Sequence, residues 1–501
     1  MARGVTDAAG PRCALVSSGP MTRIFSPRDQ RAFATLSGDF NPIHVDPVAA
    51  RRLLVGKPVV HGVHGLLWAL DRALAAALLA GPVKLTELRA AFRKAILVNE
   101  PVELRVVGEG LRRKLDLTAD GAKVATISVA WEAGDGASAG RGIRDAAPPR
   151  TECRVRAAAD LGSVSGRLPL FLDKTAAAEL FPYALRLLPP AQLAGILAAT
   201  RLAGMEAPGL HSLLSGIDLL TGESGGSSEL VYRTAGFDER MSRLTLTVDS
   251  PGFTGEVSSI LRPPPARQTP VSELMPLIRP GEFAGRRALI IGGSRGLGEA
   301  AVKLLAGGGA DVRFTYHTGR GDAEALVAEL GASGREAACF AYDCSTDAPK
   351  LAAVLGGWAP DVMCYFATPF ISASPAGRFS RNLFEQFCRC YVDGLQQAFL
   401  AVRSLSPRLR DVIAPSTIYV EDPPANLGEY AAAKSAAETL CRVLAKTHKG
   451  VRFHAPRLPR LATDQTSGLL GREEADPALA LLPLLRGMQG SPSRQEPCTK
   501  G

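Results

Sequence analysis

The sequence predicts an α+β N-terminal part, made of two helix-on-antiparallel-sheet units, followed by an α/β doubly wound C-terminal domain. Three observations predict it. From residue 286 onward, short apolar segments alternate with helical ones; before that, a hydrophobic helix followed by period-two strands occurs twice; and two aperiodic Gly- or Pro-rich stretches separate the parts.

The 501 residues are too many for one core. Hydrophobic residues at 46% and charged residues at 21% fit a soluble globular chain. The apolar run after Gly62 is broken by Asp71 and Arg72, well short of a membrane span, so no membrane partner is expected. Residues 1–20 lack a continuous apolar segment and read as a disordered leader, with Met21 a candidate start. Nine scattered cysteines without zinc-ligand spacing point to free thiols, a reducing cytoplasm and no metal. The net charge of +9 is spread evenly, without an aromatic–basic stripe, which argues for an anionic cofactor or acyl carrier and against nucleic acid.

The first unit spans 21–132, with its helix at 62–80 and strands in LDLTADGAKVATISVAWE. Residues 133–150 read as a linker. The second unit, 151–261, repeats the outline with a helix at 189–204 and strands in SRLTLTVDSPGFTGEVSSIL. Residues 262–285, with six prolines, read as a second linker. The third unit, 286–501, has strands at 286–293, 311–317, 337–343, 361–367, 411–420 and 451–456, and helices at 296–307, 321–330, 380–404 and 428–448. Such alternation gives a parallel sheet that takes a nucleotide at the carboxyl ends of its strands.

Gly292, Gly296 and Gly298 form GxxxGxG between an apolar strand and a helix. Small residues let the backbone approach a pyrophosphate, and the helix N-terminus supplies amides and partial positive charge. Tight turns are also glycine-rich for steric reasons alone. Tyr430 and Lys434 lie one helical turn apart, so the ammonium can lower the phenol's pKa. Ser416, at the end of the fifth strand, can hold a carbonyl oxygen. Beyond the second strand stand His317 and Arg320, with no acid until Asp322, and Arg295 lies in the glycine turn. An acid there would repel a 2′-phosphate, so NADP (NADPH) is the expected cofactor.

In the first unit, SGDFNPIHVD places Asp39, Asn41 and His44 on a Pro-containing loop, followed by His61-Gly62 at a helix start. A carboxylate and an imidazole five residues apart can share one water as base and acid, and the Gly62 amide can hold an enolate oxygen. Ordinary turn chemistry accounts for Asp and Asn before Pro as well.

Residues 286–460 resemble the short-chain dehydrogenase/reductase family. The resemblance implies a Rossmann fold and a cofactor turn in IIGGSRGLG, contributed by Gly292, Ser294, Arg295, Gly296, Leu297 and Gly298. It implies that Asp343 contacts adenine and that YFAT, with Ala367, closes the fourth strand. Ser416, Tyr430 and Lys434 match the catalytic set, Lys434 also binding the nicotinamide ribose, with Thr417 a rival for Ser416. Two departures stand out: Tyr391 where the family has asparagine, and PRLPRLATDQT in place of its Pro-Gly turn.

Residues 22–132, through GDFNPIH and GKPVVHG, resemble MaoC-like (R)-specific enoyl-thioester hydratases of hot-dog fold. This implies Asp39 and His44 as the catalytic pair, Asn41 ordering the loop and Gly62 as oxyanion donor. GMEAPGLHSLLSG (204–216) resembles the noncatalytic half of a double hot-dog, with His211 a structural or pocket residue and not a catalyst. Together the resemblances imply a bifunctional homo-oligomeric enzyme of acyl-CoA or acyl carrier protein thioesters. The same residues also allow a reductase whose hot-dog part only binds acyl groups, or a nonenzymatic nucleotide-binding scaffold.

Overall fold

Ser26 and Asp29 close a capping box over the helix Pro27–Ser37, the Ser26 hydroxyl accepting from Asp29 N at 3.2 Å and Asp29 Oδ2 accepting from Ser26 N at 2.7 Å. The computed structural model describes residues 21–52, 56–77, 79–134, 142–222, 228–346, 348–374, 378–466 and 474–488. The expected leader, 1–20, and residues 135–141 of the first expected linker lie outside them. Two compact units result: Met1–Pro47 with Lys57–Arg262, and Val48–Gly56 with Pro263–Gly501.

In the first unit, the helices Gly62–Ala76 and Pro190–Arg201 are buried nearly all round, as their apolar sequences require. The former stops at Ala76 rather than at the expected residue 80. Ten strands surround these helices: β1 (Met21–Ile24), β2 (Val83–Phe92), β3 (Pro101–Val107), β4 (Arg112–Ala119), β5 (Ala122–Ala133), β6 (Ser165–Pro169), β7 (Ser212–Leu220), β8 (Glu229–Asp238), β9 (Arg243–Ser250) and β10 (Phe253–Leu261). They form one sheet in the order β1-β3-β4-β5-β2-β7-β10-β9-β8-β6. Read outward from its middle, β2-β5-β4-β3-β1 mirrors β7-β10-β9-β8-β6. The topology therefore carries a duplication that sequence identity does not.

The two expected N-terminal units are halves of one compact unit. β2 and β7 pair antiparallel from Glu87↔Leu220 to Ala91↔Gly216. Either would be an exposed edge in an isolated half. The two halves also share one core, running from Phe25 through Trp131 and Phe181 to Val257. Polar contacts cross the same seam. Gln192 meets the β2 bulge, its Oε1 accepting from Leu85 N at 2.9 Å and its Nε2 donating to Leu85 O at 2.7 Å. Buried Asp71 accepts from Tyr183 N and Ala184 N at 2.8 and 2.9 Å, capping the helix Pro182–Leu187.

The second unit is a parallel sheet of β11 (Arg287–Ile291), β12 (Asp311–Tyr316), β13 (Ala337–Ala341), β14 (Val362–Tyr365), β15 (Asp411–Ile413) and β17 (Arg452–His454), ordered β13-β12-β11-β14-β15-β17. The expected strand 411–420 stops at Ile413. A separate pair, β16 (Ser416–Thr417) with β18 (Arg457–Leu458), continues it. Helices Gly296–Gly307, Arg320–Ala332 and Gly428–Thr447 fall close to expectation, and Ala348–Leu355 and Pro477–Gly487 were not anticipated. The expected helix 380–404 is interrupted by a π-helical segment, Arg389–Gly394. Residues 262–285 are not a free linker. Val271, Leu274, Ile278 and Phe283 are buried in the core of the second unit, because prolines stop regular structure without stopping apolar side chains from packing. No helix among the described residues is long and apolar enough to cross a membrane.

Candidate active sites

Gly38 ends the first helix in the left-handed region, at φ +77°, and turns the chain into Asp39-Phe40-Asn41. Asn41 orders this loop from both ends of its amide. Its Oδ1 accepts from Ile43 N at 3.2 Å, and its Nδ2 donates to the carbonyls of Gly204 and Gly209 at 2.9 and 3.2 Å. Asp39, only 1% exposed, accepts from Asn41 N at 3.2 Å and from the Thr200 hydroxyl at 2.7 Å. Burial raises its pKa, opposed by His44, Thr200 and the Asn41 amide.

His44 sets Nδ1 2.8 Å from the Val59 carbonyl, which puts the proton there and leaves Nε2 as the basic atom. Burial lowers the His44 pKa while the Asp39 charge raises it, so a neutral imidazole faces a carboxyl group. Buried His61 stacks on His44 with ring centroids 3.8 Å apart. Its two ring nitrogens lie 2.9 Å from Gln30 Oε1 and 2.9 Å from the Asp39 carbonyl. Asp39, His44 and His61 bring ligand-type atoms within 4.8 Å of one another, but the His61 ring is already committed to those two oxygens. Gly62 opens the buried helix Gly62–Ala76, and a Cβ there would meet the Phe92 ring at 3.1 Å. The arrangement can activate one water between a carboxylate and an imidazole, beside a helix N-terminus that attracts an oxyanion.

In the second unit a cavity of about 730 Å³ opens at the carboxyl ends of the parallel strands. Gly292 leaves β11 at φ +81°, with its N donating to Thr315 Oγ1 at 2.9 Å. A Cβ on Gly292 would meet Ala367 N at 2.8 Å, and one on Gly298 would meet Gly292 O at 2.0 Å. Only glycine fits this crossing. Gly296 starts its helix at φ +56°, and Ser294, Arg295 and Leu297 border the cavity with the glycines and Ala367.

Asp343 holds the Ser345 amide and hydroxyl at 2.9 and 2.7 Å, and its other oxygen lies 3.5 Å from His317 Nε2. Arg295 pairs with Asp464 at 2.6 Å, within the PRLPRLATDQT segment. Arg320 is turned to Glu324 at 2.7 Å, one helical turn away. Sequence reasoning counted these cations without the acids that face them.

Tyr430 and Lys434 share one face of the helix Gly428–Thr447. Burial pushes the Tyr430 phenol up to about 12, opposed by its hydrogen bond with Thr417. The expected lowering of this phenol by Lys434 is therefore corrected. Lys434 donates to Pro415 O at 2.8 Å and lies 4.0 Å from the Tyr391 ring centroid, and burial pulls it down to about 8. Tyr391 lies in the π-helical segment, its hydroxyl 2.6 Å from Thr368 Oγ1.

Two family models match the chain: a MaoC like domain over residues 14–129 and a short chain dehydrogenase over 286–469. The cyclic-di-GMP-binding biofilm dispersal mediator protein of Escherichia coli (strain K12) is 30% identical over 33% of this chain and 68% of its own length. The chain joins a MaoC-like domain to a short-chain dehydrogenase domain.

The dehydrogenase domain is also similar to an uncharacterized oxidoreductase, YghA, of the same organism, at 28% identity over 40% of this chain and 73% of that protein. A solved short-chain dehydrogenase from Burkholderia cenocepacia J2315, in complex with NADP, is 24% identical over 41% of this chain and 91% of its own, with a TM-score of 0.37. The MaoC-like domain is similar to the (R)-specific enoyl-CoA hydratase of Aeromonas caviae, at 42% identity over 9% of this chain and 32% of that enzyme.

Within the dehydrogenase domain, Ser416, expected to hold the substrate carbonyl, and its rival Thr417 stand side by side in β16. Both border the cavity, but adjacent strand residues face opposite ways. Thr417 opposes the rise of the Tyr430 pKa and its Oγ1 accepts from Tyr419 N at 3.3 Å, whereas Ser416 Oγ is buried without a hydrogen-bond partner among the described residues. Thr417→Ala is therefore expected to lower reductase turnover about a hundredfold, and Ser416→Ala less than threefold or so. The opposite ranking in steady-state rates would return the role to Ser416. In the MaoC-like domain, sequence reasoning missed Gln30, Thr200 and Gly204, and did not count His61 in the site. A Cβ on Gly204 would meet Asp39 Oδ1 at 2.2 Å. His211 stands beside Arg262, a buried cation whose Nη2 donates to Leu210 O at 2.9 Å.

Proposed function

We propose that the chain is a bifunctional enzyme of acyl thioesters carried on CoA or an acyl carrier protein. Its MaoC-like domain adds water to a 2-enoyl thioester, or removes it from the (R)-3-hydroxyacyl thioester. Its dehydrogenase domain interconverts that alcohol with the 3-oxoacyl thioester, using NADPH. The observation that carries the reading is the Asp39–His44 pair, locked by Thr200 and Asn41, on the same chain as the cavity holding Tyr430 and Lys434.

Asp39 and His44 Nε2 hold and polarise the water between them, and the Gly62 amide steadies the thioester oxygen as it gains charge. In the second unit the glycine crossing fits a dinucleotide pyrophosphate, since any Cβ would fill the space its backbone needs. Gly292, Ser294, Arg295, Gly296, Leu297 and Gly298 would hold the phosphates, and Asp343 and His317 the adenosine end. Bound NADPH supplies a hydride. Thr417 hydrogen-bonds the substrate carbonyl, Tyr430 passes it a proton, and Lys434 fixes the ribose.

The end of β12 carries His317 and no acid before Asp322, so NADPH is expected to bind at least about tenfold more tightly than NADH, roughly 1.4 kcal/mol. Equal affinities in a fluorescence titration would overturn that choice. The whole reading is tested by incubating purified protein with a 3-oxoacyl-CoA and NADPH. Both 3-hydroxyacyl and 2-enoyl products are expected. A protein that forms the first and never the second, and that leaves crotonyl-CoA unhydrated, is a reductase with an acyl-binding hot-dog part.

A further inference from the structure

Two thiols meet at the wall of the dinucleotide cavity. Cys344 Sγ lies 3.6 Å from Cys390 Sγ, and both residues border the cavity. Cys344 follows β13 and is directly joined to Asp343; Cys390 lies in the π-helical segment and is directly joined to Tyr391. Cys390 is 8% exposed and its Sγ is 3.4 Å from the Ala367 carbonyl, while Cys344 is half-buried. Hydrogen bonding from Cys390 lowers the Cys344 pKa, and the same contact raises that of Cys390. Cys344 is thus the nucleophile of the pair, and Cys390 keeps its proton.

We infer that Cys344 and Cys390 are a modification site, closed by peroxide into a disulfide that weakens dinucleotide binding. The Cys344 thiolate attacks one peroxide oxygen, the O–O bond breaks, and a sulfenic acid and hydroxide form. Cys390 sulfur then displaces the sulfenic oxygen, an S–S bond forms as the S–O bond breaks, and its thiol proton leaves with that oxygen as water. Overall, two thiols and one peroxide give one disulfide and two waters. A disulfide needs its sulfurs near 2.05 Å, so the thiols must close by more than an ångström. That movement draws on Asp343 at the adenosine end and on Tyr391, which lies beneath Lys434 at the catalytic end.

The consequence for binding rests on the nucleotide reading above; the bond itself does not. The test treats the full chain with hydrogen peroxide and maps peptides by mass without reduction. A 344–390 cross-linked peptide is expected, together with a loss of NADPH affinity of about tenfold that dithiothreitol reverses. Cys344→Ser and, separately, Cys390→Ala should give no such peptide, and their NADPH affinities should be the same before and after peroxide. Phenylarsine oxide, which needs two neighbouring thiols, should protect the wild-type pair from peroxide. Absence of the cross-linked peptide while other cysteines oxidise overturns the site, and a peptide formed with affinity unchanged overturns its effect. Reduced protein that binds no NADPH at all sinks the nucleotide reading instead, and the peptide map still decides the bond.

Discussion

Asp39→Asn is expected to abolish hydration of a 2-enoyl thioester, by about a thousandfold or more, while 3-oxoacyl reduction continues near its normal rate. Asparagine keeps the shape of the side chain but cannot act as a base. Both Asp39 oxygens receive donors, Asn41 N and the Thr200 hydroxyl. The hydroxyl can rotate to accept from the new amide, so the loop survives. Stability provides the control. Because burial raises the Asp39 pKa, its ionised form is the penalised one in the fold. Stability from this group is complete below the ordinary carboxylate value and is lost as pH rises through the raised one. The substitution removes that loss, so its melting temperature relative to wild type should rise as pH climbs out of the carboxylate range. A variant that instead melts well below wild type at every pH has lost its loop, and its inactivity would say nothing about a base.

Legibility in the sequence followed distance along the chain. Asp39, Asn41 and His44 occupy one loop, and Gly292, Gly296 and Gly298 one turn, so spacing alone exposes them. Thr200 reaches Asp39 from 161 residues away, and Gly204 leaves it room, with no pattern to announce either. Both come from the half read as noncatalytic. The sheet seam was hidden for a related reason: period-two alternation shows which face of β2 or β7 is buried, but not which strand lies beside it. Ser416 and Thr417 are neighbours in β16 and both border the cavity, so spacing to Tyr430 does not choose between them. The proline-rich stretch before β11 was misread from composition, although Val271 and Phe283 sit in the core. Cations at the cavity were legible as charges, while Asp464 and Glu324, which pair two of them, required the fold.

Tyr430→Phe is expected to do the reverse of Asp39→Asn, lowering 3-oxoacyl reduction by about two to four orders of magnitude and leaving hydration intact. The ring keeps its packing against Phe387 and Tyr391, so the loss isolates the hydroxyl. With the phenol pushed up to about 12, Tyr430 is protonated near neutral pH and ready to give a proton, the state reduction needs. Oxidation of the alcohol needs the phenolate and should gain as pH rises. Lys434, pulled down to about 8, loses its charge within the accessible range, so reduction should fall as pH climbs through that value. Because the two sites belong to different compact units, their losses should be independent. Given 3-oxoacyl thioester and NADPH, the Asp39→Asn protein should stop at the 3-hydroxy compound and the Tyr430→Phe protein should leave the substrate almost untouched. An equimolar mixture should restore the 2-enoyl product, because the alcohol released by one variant is the substrate of the other. A mixture that still stops at the 3-hydroxy compound, with each single activity present in its own assay, would mean that the intermediate is not released between the two sites.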